Sequence, residues 1–338
     1  INSASFDNRN KYVTRAYFNK IGKENFFEEC KHFFCNDSNN LDQNKFWHRN
    51  GNKKYFDALT AIKSYIYDCD GEGSENVWYR FLDDKLRESK NTYRNIGWSG
   101  VEGEIRNIVL GIENDNKLDT PYPLARFSQD SMMPIRNYFQ YIDNDMKTSE
   151  AGSYKEEKDA KIGYFRRMSK DLERLTLALD LYMSVFVPIG DSVVRKIKEL
   201  EEVNFEAVIN FNYTQTCSKI YGSKCKCYCV HGTATAAKLD DKTKLILGID
   251  DDLNSNEFIE YKKFYQRIIR NSDMSYIDEI KDKKVRTVFW GHSMSDIDGD
   301  VLSGLLAGVN DDNIVYSIIC AYSEEDRRSK VKNVAKII

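Results

Sequence analysis

Between residues 10 and 200 the apolar positions recur at intervals of three and four, the period of an α-helix, and no strand pattern interrupts them. The clearest stripe is Phe165, Met168, Leu172, Leu175, Leu179, Tyr182 and Phe186. It predicts one long helix over residues 155–186 with a single apolar face. Shorter helices are predicted over residues 11–34, 55–67, 77–90 and 191–200, with a weaker helical pattern over 135–146. Ser99 and Glu102 have the spacing of a capping box. They open a further helix whose inner face carries Val101, Ile105, Ile108, Val109 and Ile112. Polar segments at 36–44, 70–74 and 118–123 read as loops.

After Asn204 the pattern changes. Short apolar runs at 207–211, 227–230, 245–249, 285–290 and 314–321 are each followed by a helical stretch. Strands alternating with helices imply βαβ units and a mostly parallel sheet. The expected fold is therefore α/β, with a Rossmann-like core built from residues 1–20 and 201–338. Residues 21–200 form a large helical insertion, the expected place for sensing or oligomerisation. The chain opens at Ile1 rather than at a methionine, so further residues are expected ahead of it.

A formal net charge of -3 and a pI near 6.0 give no global push toward nucleic acid or anionic membrane. The longest apolar stretch, 175–187, is broken by Asp180, so no membrane span is expected. Eight cysteines spread through a long chain, with no secretory signal in the residues given, predict free thiols in a reduced compartment.

In an open parallel sheet, ligands bind beyond the carboxyl ends of the strands. Two strand ends present polar residues there: Asn212 after the first run and His231 after the second. A third, Gly291-His292-Ser293-Met294-Ser295-Asp296-Ile297-Asp298, follows the run at 285–290 and opens a helix capped by Ser295 and Asp298. Carboxylates in a first turn repel phosphate, so Ser293 and Asp296 are better suited to ribose hydroxyls. Ser3-Ala4-Ser5 is a small-residue turn of the kind that admits a phosphate. Cys225, Cys227, Cys229 and His231 alternate along one face of a strand. A tetrahedral zinc ion cannot gather four ligands from one straight strand, so a packed thiol row is expected and no metal. Asp250-Asp251-Asp252 reads as an acidic surface loop. P-loop, zincin and α/β-hydrolase motifs are absent from the sequence.

Several of these residues, in this order, resemble the AbiH family of bacterial phage-abortive-infection proteins. They are Asn210-Phe211-Asn212-Tyr213-Thr214-x-Thr216, His231-Gly232, Leu247-Gly248-Ile249, Phe264-Tyr265-Gln266, and Gly291-His292-Ser293-Met294-Ser295-x-x-Asp298. The resemblance implies a sirtuin-like NAD-binding relative of the Rossmann fold. At the N-terminus the family usually shows Gly-Asn-Gly-Phe-Asp. Ser3-Ala4-Ser5-Phe6-Asp7 stands there in this chain, with serine at both glycine positions. Thr214 occupies a position that is Asp in the wider sirtuin-like pattern, as it does in AbiH proteins, so sirtuin chemistry does not transfer directly.

The resemblance implies an anti-phage effector in the bacterial cytoplasm that hydrolyses NAD at the nicotinamide–ribose bond. Two alternatives stand beside it: a nucleotide-binding sensor without turnover, and an interaction or nuclease-type toxin. A phage component as trigger and a homo-oligomer are both open. For NAD cleavage the expected catalytic pair is Asn212, positioning water and ribose, and His231, the base, with His292 as competing base. Ser3, Ser5, Phe6, Asp7, Thr214, Gly291, His292, Ser293 and Asp296 are the expected nucleotide-binding residues.

Overall fold

A computed structural model describes residues 53–67, 76–88, 98–116, 154–187, 203–221, 225–235, 243–250, 256–281, 283–307 and 314–338. The N-terminal turn at residues 3–7 and the helical patterns at 11–34, 135–146 and 191–200 lie outside them.

The long apolar stripe forms helix α4 (Tyr154–Val185), and α1 (Lys53–Tyr67) and α2 (Val77–Glu88) pack along it. A polar lock fixes their positions. Buried Asn76 accepts the Tyr79 N–H (3.1 Å) in the capping geometry that opens α2, and donates to the Asp171 carbonyl (2.7 Å). Asp171 in turn accepts the Val77 N–H at 3.0 Å. Burial pushes its carboxyl up, against the pull of that N–H and of Arg167.

Helix α3 (Trp98–Asn116) begins ahead of Ser99, so the expected capping box does not form its start. Glu102 is instead buried and turns toward the α/β part of the chain. A local sequence pattern yields here to a tertiary ion pair.

The later residues form two parallel strand pairs. β1 (Ala207–Asn210) and β2 (Lys226–Cys229) are joined through α5 (Thr216–Tyr221) and pair in register, Asn210 opposite Cys229. Helices α6 (Lys263–Ile269) and α7 (Tyr276–Lys281) follow, and α7 packs on β1. β3 (Val285–Phe289) and β4 (Ile314–Ile319) flank α8 (Gly299–Ala307) and pair in parallel, and α9 (Glu324–Ile337) closes the chain. The protein is thus mixed helix and small parallel sheets. Among the described residues these are two two-stranded sheets rather than one continuous sheet.

The expected strand at 245–249 is the clearest departure. Its residues are buried, but only Ile249 makes a bridge, to Lys262. The Gln266 side-chain amide accepts the Leu247 N–H (3.1 Å) and donates to the Leu247 carbonyl (2.8 Å). Those are the groups a neighbouring strand would pair with, so the ladder stops there.

Two apolar clusters hold these parts. One joins α1–α4 to Tyr213, Leu245, Leu247 and Phe258, so the helical segment and the later chain share a core. The other gathers Tyr228, Val230, Phe289, Met294 and Leu302 under α7 and α8. Val230 in one cluster and Leu245 in the other bracket the turn that carries His231.

Candidate active site

Three strand ends converge at this junction. At the end of β1, Asn210 is buried and its amide organises the next turn. Its Oδ1 accepts the Asn212 N–H (3.0 Å) and the Asn212 Nδ2 (3.3 Å), and its Nδ2 donates to the Thr214 carbonyl (2.9 Å). The turn presents Phe211 and Tyr213 to the site. At the end of β2, the Val230 N–H bonds the Asn210 carbonyl (3.1 Å), and the Ile246 N–H bonds the His231 carbonyl (2.9 Å). His231 is thereby pinned between the β1 turn and the 245–249 segment. At the end of β3, Gly291 turns the chain with φ at +68°, and buried Met294 follows at φ +57°. Ser295 accepts the Ile297 N–H and starts a short 3-10 turn, Asp296–Asp298, which runs into α8.

Asp298 is the centre of the arrangement. His231 Nε2 lies 2.9 Å from its Oδ1, His292 Nε2 lies 3.2 Å from its Oδ2, and Lys263 Nζ donates to Oδ1 at 2.8 Å. Burial pushes the Asp298 carboxyl up, but hydrogen bonds from both histidines and the Lys263 charge outweigh it. The group sits well below the usual carboxylate range, ionised at any physiological pH. Lys263 is fully buried and also donates to Glu102 Oε2 (3.0 Å) and the Ile297 carbonyl (3.0 Å). Burial pulls its ammonium down, yet Glu102 and Asp298 raise it above its ordinary value. The Tyr213 hydroxyl lies 3.0 Å from the Ile246 carbonyl and 3.4 Å from Glu102 Oε1.

The backbone settles the roles of the two imidazoles. The Met294 N–H donates to His292 Nδ1 at 2.9 Å, so that nitrogen is an acceptor and Nε2 carries the proton shared with Asp298. Both nitrogens of His292 are occupied. His231 also directs Nε2 to Asp298, but its Nδ1 is buried with no hydrogen-bond partner among the described residues. A buried, unsatisfied polar atom is costly and uncommon. One imidazole nitrogen anchored on an ionised carboxylate, with a free lone pair on the other, is the arrangement of a general base.

A family model, bacteriophage abortive infection AbiH, matches residues 10–320. The chain belongs to the AbiH family. Its members are abortive-infection proteins of bacteriophage defence, and the match spans most of the chain, helical segment included. No curated protein and no solved structure matches it. Among the described residues no helix is long and apolar enough to cross a membrane, and no group of three or more His, Cys, Asp or Glu is placed to hold a metal ion.

The residues expected to act in this AbiH-family chain do not all come together. His231 and His292 meet at Asp298. Asn212 stands apart from that cluster: it is exposed and held to Asn210. Thr214 is half-buried, with its hydroxyl 2.8 Å from that of Thr216. Gly291, Ser293 and Asp296 are exposed on the loop that carries His292, where the Ser293 carbonyl accepts from Asn333 Nδ2 (3.2 Å). Asp296 lies 3.8 Å from the Arg106 guanidinium, an ion pair that competes with any ribose hydroxyl. Ser3, Ser5, Phe6 and Asp7 lie outside both the described residues and the family match.

Asp298, Lys263, Glu102 and Tyr213 complete the site, and sequence reasoning did not assign them to it. Asp298 and Tyr213 stand in the motifs that carry the resemblance, but Asp298 reads locally as a helix cap. Lys263 adjoins Phe264-Tyr265-Gln266, and nothing in its spacing marks it as buried.

Gly232, next to His231, has no alternative residue. Its φ is +74°, and a Cβ there would lie 1.8 Å from the Lys244 carbonyl oxygen. Left-handed strain and a backbone clash together predict that Gly232→Ala destabilises the protein by about 2 kcal/mol or more, read as a lowered melting temperature. An unchanged melting temperature would show that the turn at His231 is not as tight as this.

Proposed function

We propose that this AbiH protein cleaves the bond between nicotinamide and ribose in NAD, consuming the cofactor during phage infection. The observation that carries the reading is the buried Nδ1 of His231, which has no hydrogen-bond partner among the described residues and whose ring is oriented by an ionised Asp298. The reacting bond already bears a cationic leaving group, so nicotinamide departs without protonation and no strong acid is needed. The oxocarbenium-like state that results requires a positioned water and a group to take its proton, as in glycoside hydrolysis. His231 Nδ1 accepts that proton, and water adds to the anomeric carbon to give ADP-ribose and nicotinamide. Asn212 positions the ribose or the water. Thr214, Gly291, Ser293 and Asp296 line the nucleotide's path along the strand ends, and the N-terminal turn (Ser3, Ser5, Phe6, Asp7) takes the phosphates. The parallel pairs β1–β2 and β3–β4 support a Rossmann-like, sirtuin-like core as the frame for this chemistry.

His231 is only 4% exposed, so the site as it stands is closed. Turnover requires the 211–214 turn to move and admit substrate, which gives a phage component a point of action. The same reading puts the protein in the bacterial cytoplasm, where NAD is available.

The test is incubation of the purified protein with NAD, with and without extract of phage-infected cells, followed by chromatography for nicotinamide. Release that requires His231 supports the reading. NAD binding without release under either condition would select a non-catalytic sensor. Neither binding nor release would leave the interaction or nuclease-type toxin.

A further inference from the structure

Helix α6 is built inside out. Its polar residues Lys263, Gln266 and Arg267 are buried, while Phe264, Ile268 and Ile269 are exposed. A surface helix ordinarily buries its apolar stripe, so the place of α6 is set by what its polar stripe holds. Positions 263, 266 and 267 share one face, and each side chain on it grips a segment of the site. Lys263 donates to Asp298 and to the Ile297 carbonyl. Gln266 takes the N–H and the carbonyl of Leu247, next to Ile246, whose N–H holds the His231 carbonyl.

Arg267 reaches both sides of the His231–Asp298 pair. Its Nε donates at 3.3 Å to the buried Val230 carbonyl, which belongs to the peptide leading into His231. Its Nη1 pairs with the Asp300 carboxylate, two residues past Asp298 in the first turn of α8. Asp300 is itself fixed: its N–H donates to Asp250 (3.1 Å), and its Oδ1 accepts the Val301 N–H (2.8 Å). A guanidinium is planar and holds its donors at set angles. One rigid group therefore spans from the peptide before the imidazole to the turn that carries the carboxylate. The third nitrogen, Nη2, is buried with no hydrogen-bond partner among the described residues. A buried cation with an unmet donor adds little stability over an apolar side chain. What it supplies here is a fixed geometry.

We infer that Arg267 is a positioning residue, whose guanidinium sets the reach and angle of the His231–Asp298 hydrogen bond without touching the reacting atoms. The hold does not depend on the substrate: any proton taken by His231 Nδ1 requires that ring to be fixed through Nε2. Lysine cannot replace the fork. Arg267→Lys keeps a charge beside Asp300 but gives up the Val230 carbonyl, so the peptide turns and His231 Nε2 leaves Asp298. His292 is held within its own loop, by the Met294 N–H and by Asp298, and keeps its place.

The test is proton–nitrogen NMR of protein labelled at its four histidines, with His231→Ala and His292→Ala spectra assigning the two site rings. An Nε2–H bonded to a buried carboxylate is shifted downfield and protected from water. In Arg267→Lys the His231 proton is expected to exchange about tenfold faster or more, while the His292 proton is unchanged. Should Arg267→Lys not fold, Asp300→Asn decides: it weakens the same clamp from its more open end and should move the same resonance. A His231 proton as protected as in the wild type, whatever the melting temperature, would overturn the assignment and leave Arg267 a structural ion. This readout needs no NAD, so it stands or falls apart from the proposed cleavage. With NAD turnover in hand, Arg267→Lys should lower kcat by about tenfold and leave KM within about twofold. A loss confined to KM would also overturn it.

Discussion

On the proposed reaction, His231→Ala is expected to cut NAD turnover by about 100-fold or more while the fold survives. The cluster can lose this ring without stranding a charge, because Asp298 still accepts from His292 and Lys263. What disappears is an imidazole nitrogen that has no hydrogen-bond partner among the described residues and can take a proton. His292→Ala is expected to cost only on the order of tenfold, through the orientation of Asp298 and the 292–295 loop. Its Nδ1 is already engaged by the Met294 N–H and its Nε2 by Asp298, so it has no lone pair to offer unless that loop rearranges. Chromatographic rates for both variants, with melting temperatures and NAD dissociation constants alongside, separate the two roles. If the order of the losses is reversed, the base is His292. If His231→Ala is fully active, base catalysis at this site is dismissed.

The strand ends were legible in the sequence because each ends an apolar run in polar residues, a local signal. What failed were local patterns with distant partners. Ser99 and Glu102 have capping-box spacing, yet Glu102 answers to Lys263, 161 residues further on. Ser295 does cap its turn, but Asp298, read as the other half of that cap, faces two histidines and a lysine. The apolar run at 245–249 has a strand's composition, and it is a side chain, Gln266, that takes its ladder groups. Asn212 shows a related limit. The chain bends immediately after β1, so strand alternation no longer fixes where its side chain points, and it is Asn210 that faces inward. Charge pairing across the fold leaves no periodic trace, which is why Asp298 itself, Lys263 and Glu102 had to come from the structure.

Lys263→Met is expected to destabilise the protein by about 3–5 kcal/mol at neutral pH, the usual cost of removing one member of a buried ion network. Methionine fills similar volume, so the loss is one of charge: buried Glu102 and Asp298, whose side chain is 13% exposed, are left without their shared cation. The pH dependence identifies the cause. In the wild type the folded Asp298 carboxyl lies below its unfolded value of about 3.9. Its contribution to stability is therefore complete above that pH and is lost as pH falls toward the folded value. Without Lys263 the depression is smaller, so the variant stops losing stability at a higher pH than the wild type, and the gap narrows only as pH falls below the variant's own folded value. On the alkaline side the raised Lys263 contributes stability that is complete below about 10.4 and fades as pH climbs through its folded value. Urea unfolding of both proteins from neutral pH down through the acid range, and above about pH 10.4, measures the gap directly. A gap of constant size would mean that methionine disturbs packing rather than charge. A variant as stable as the wild type at neutral pH would show that the Glu102–Lys263–Asp298 network does not hold the helical segment to the site.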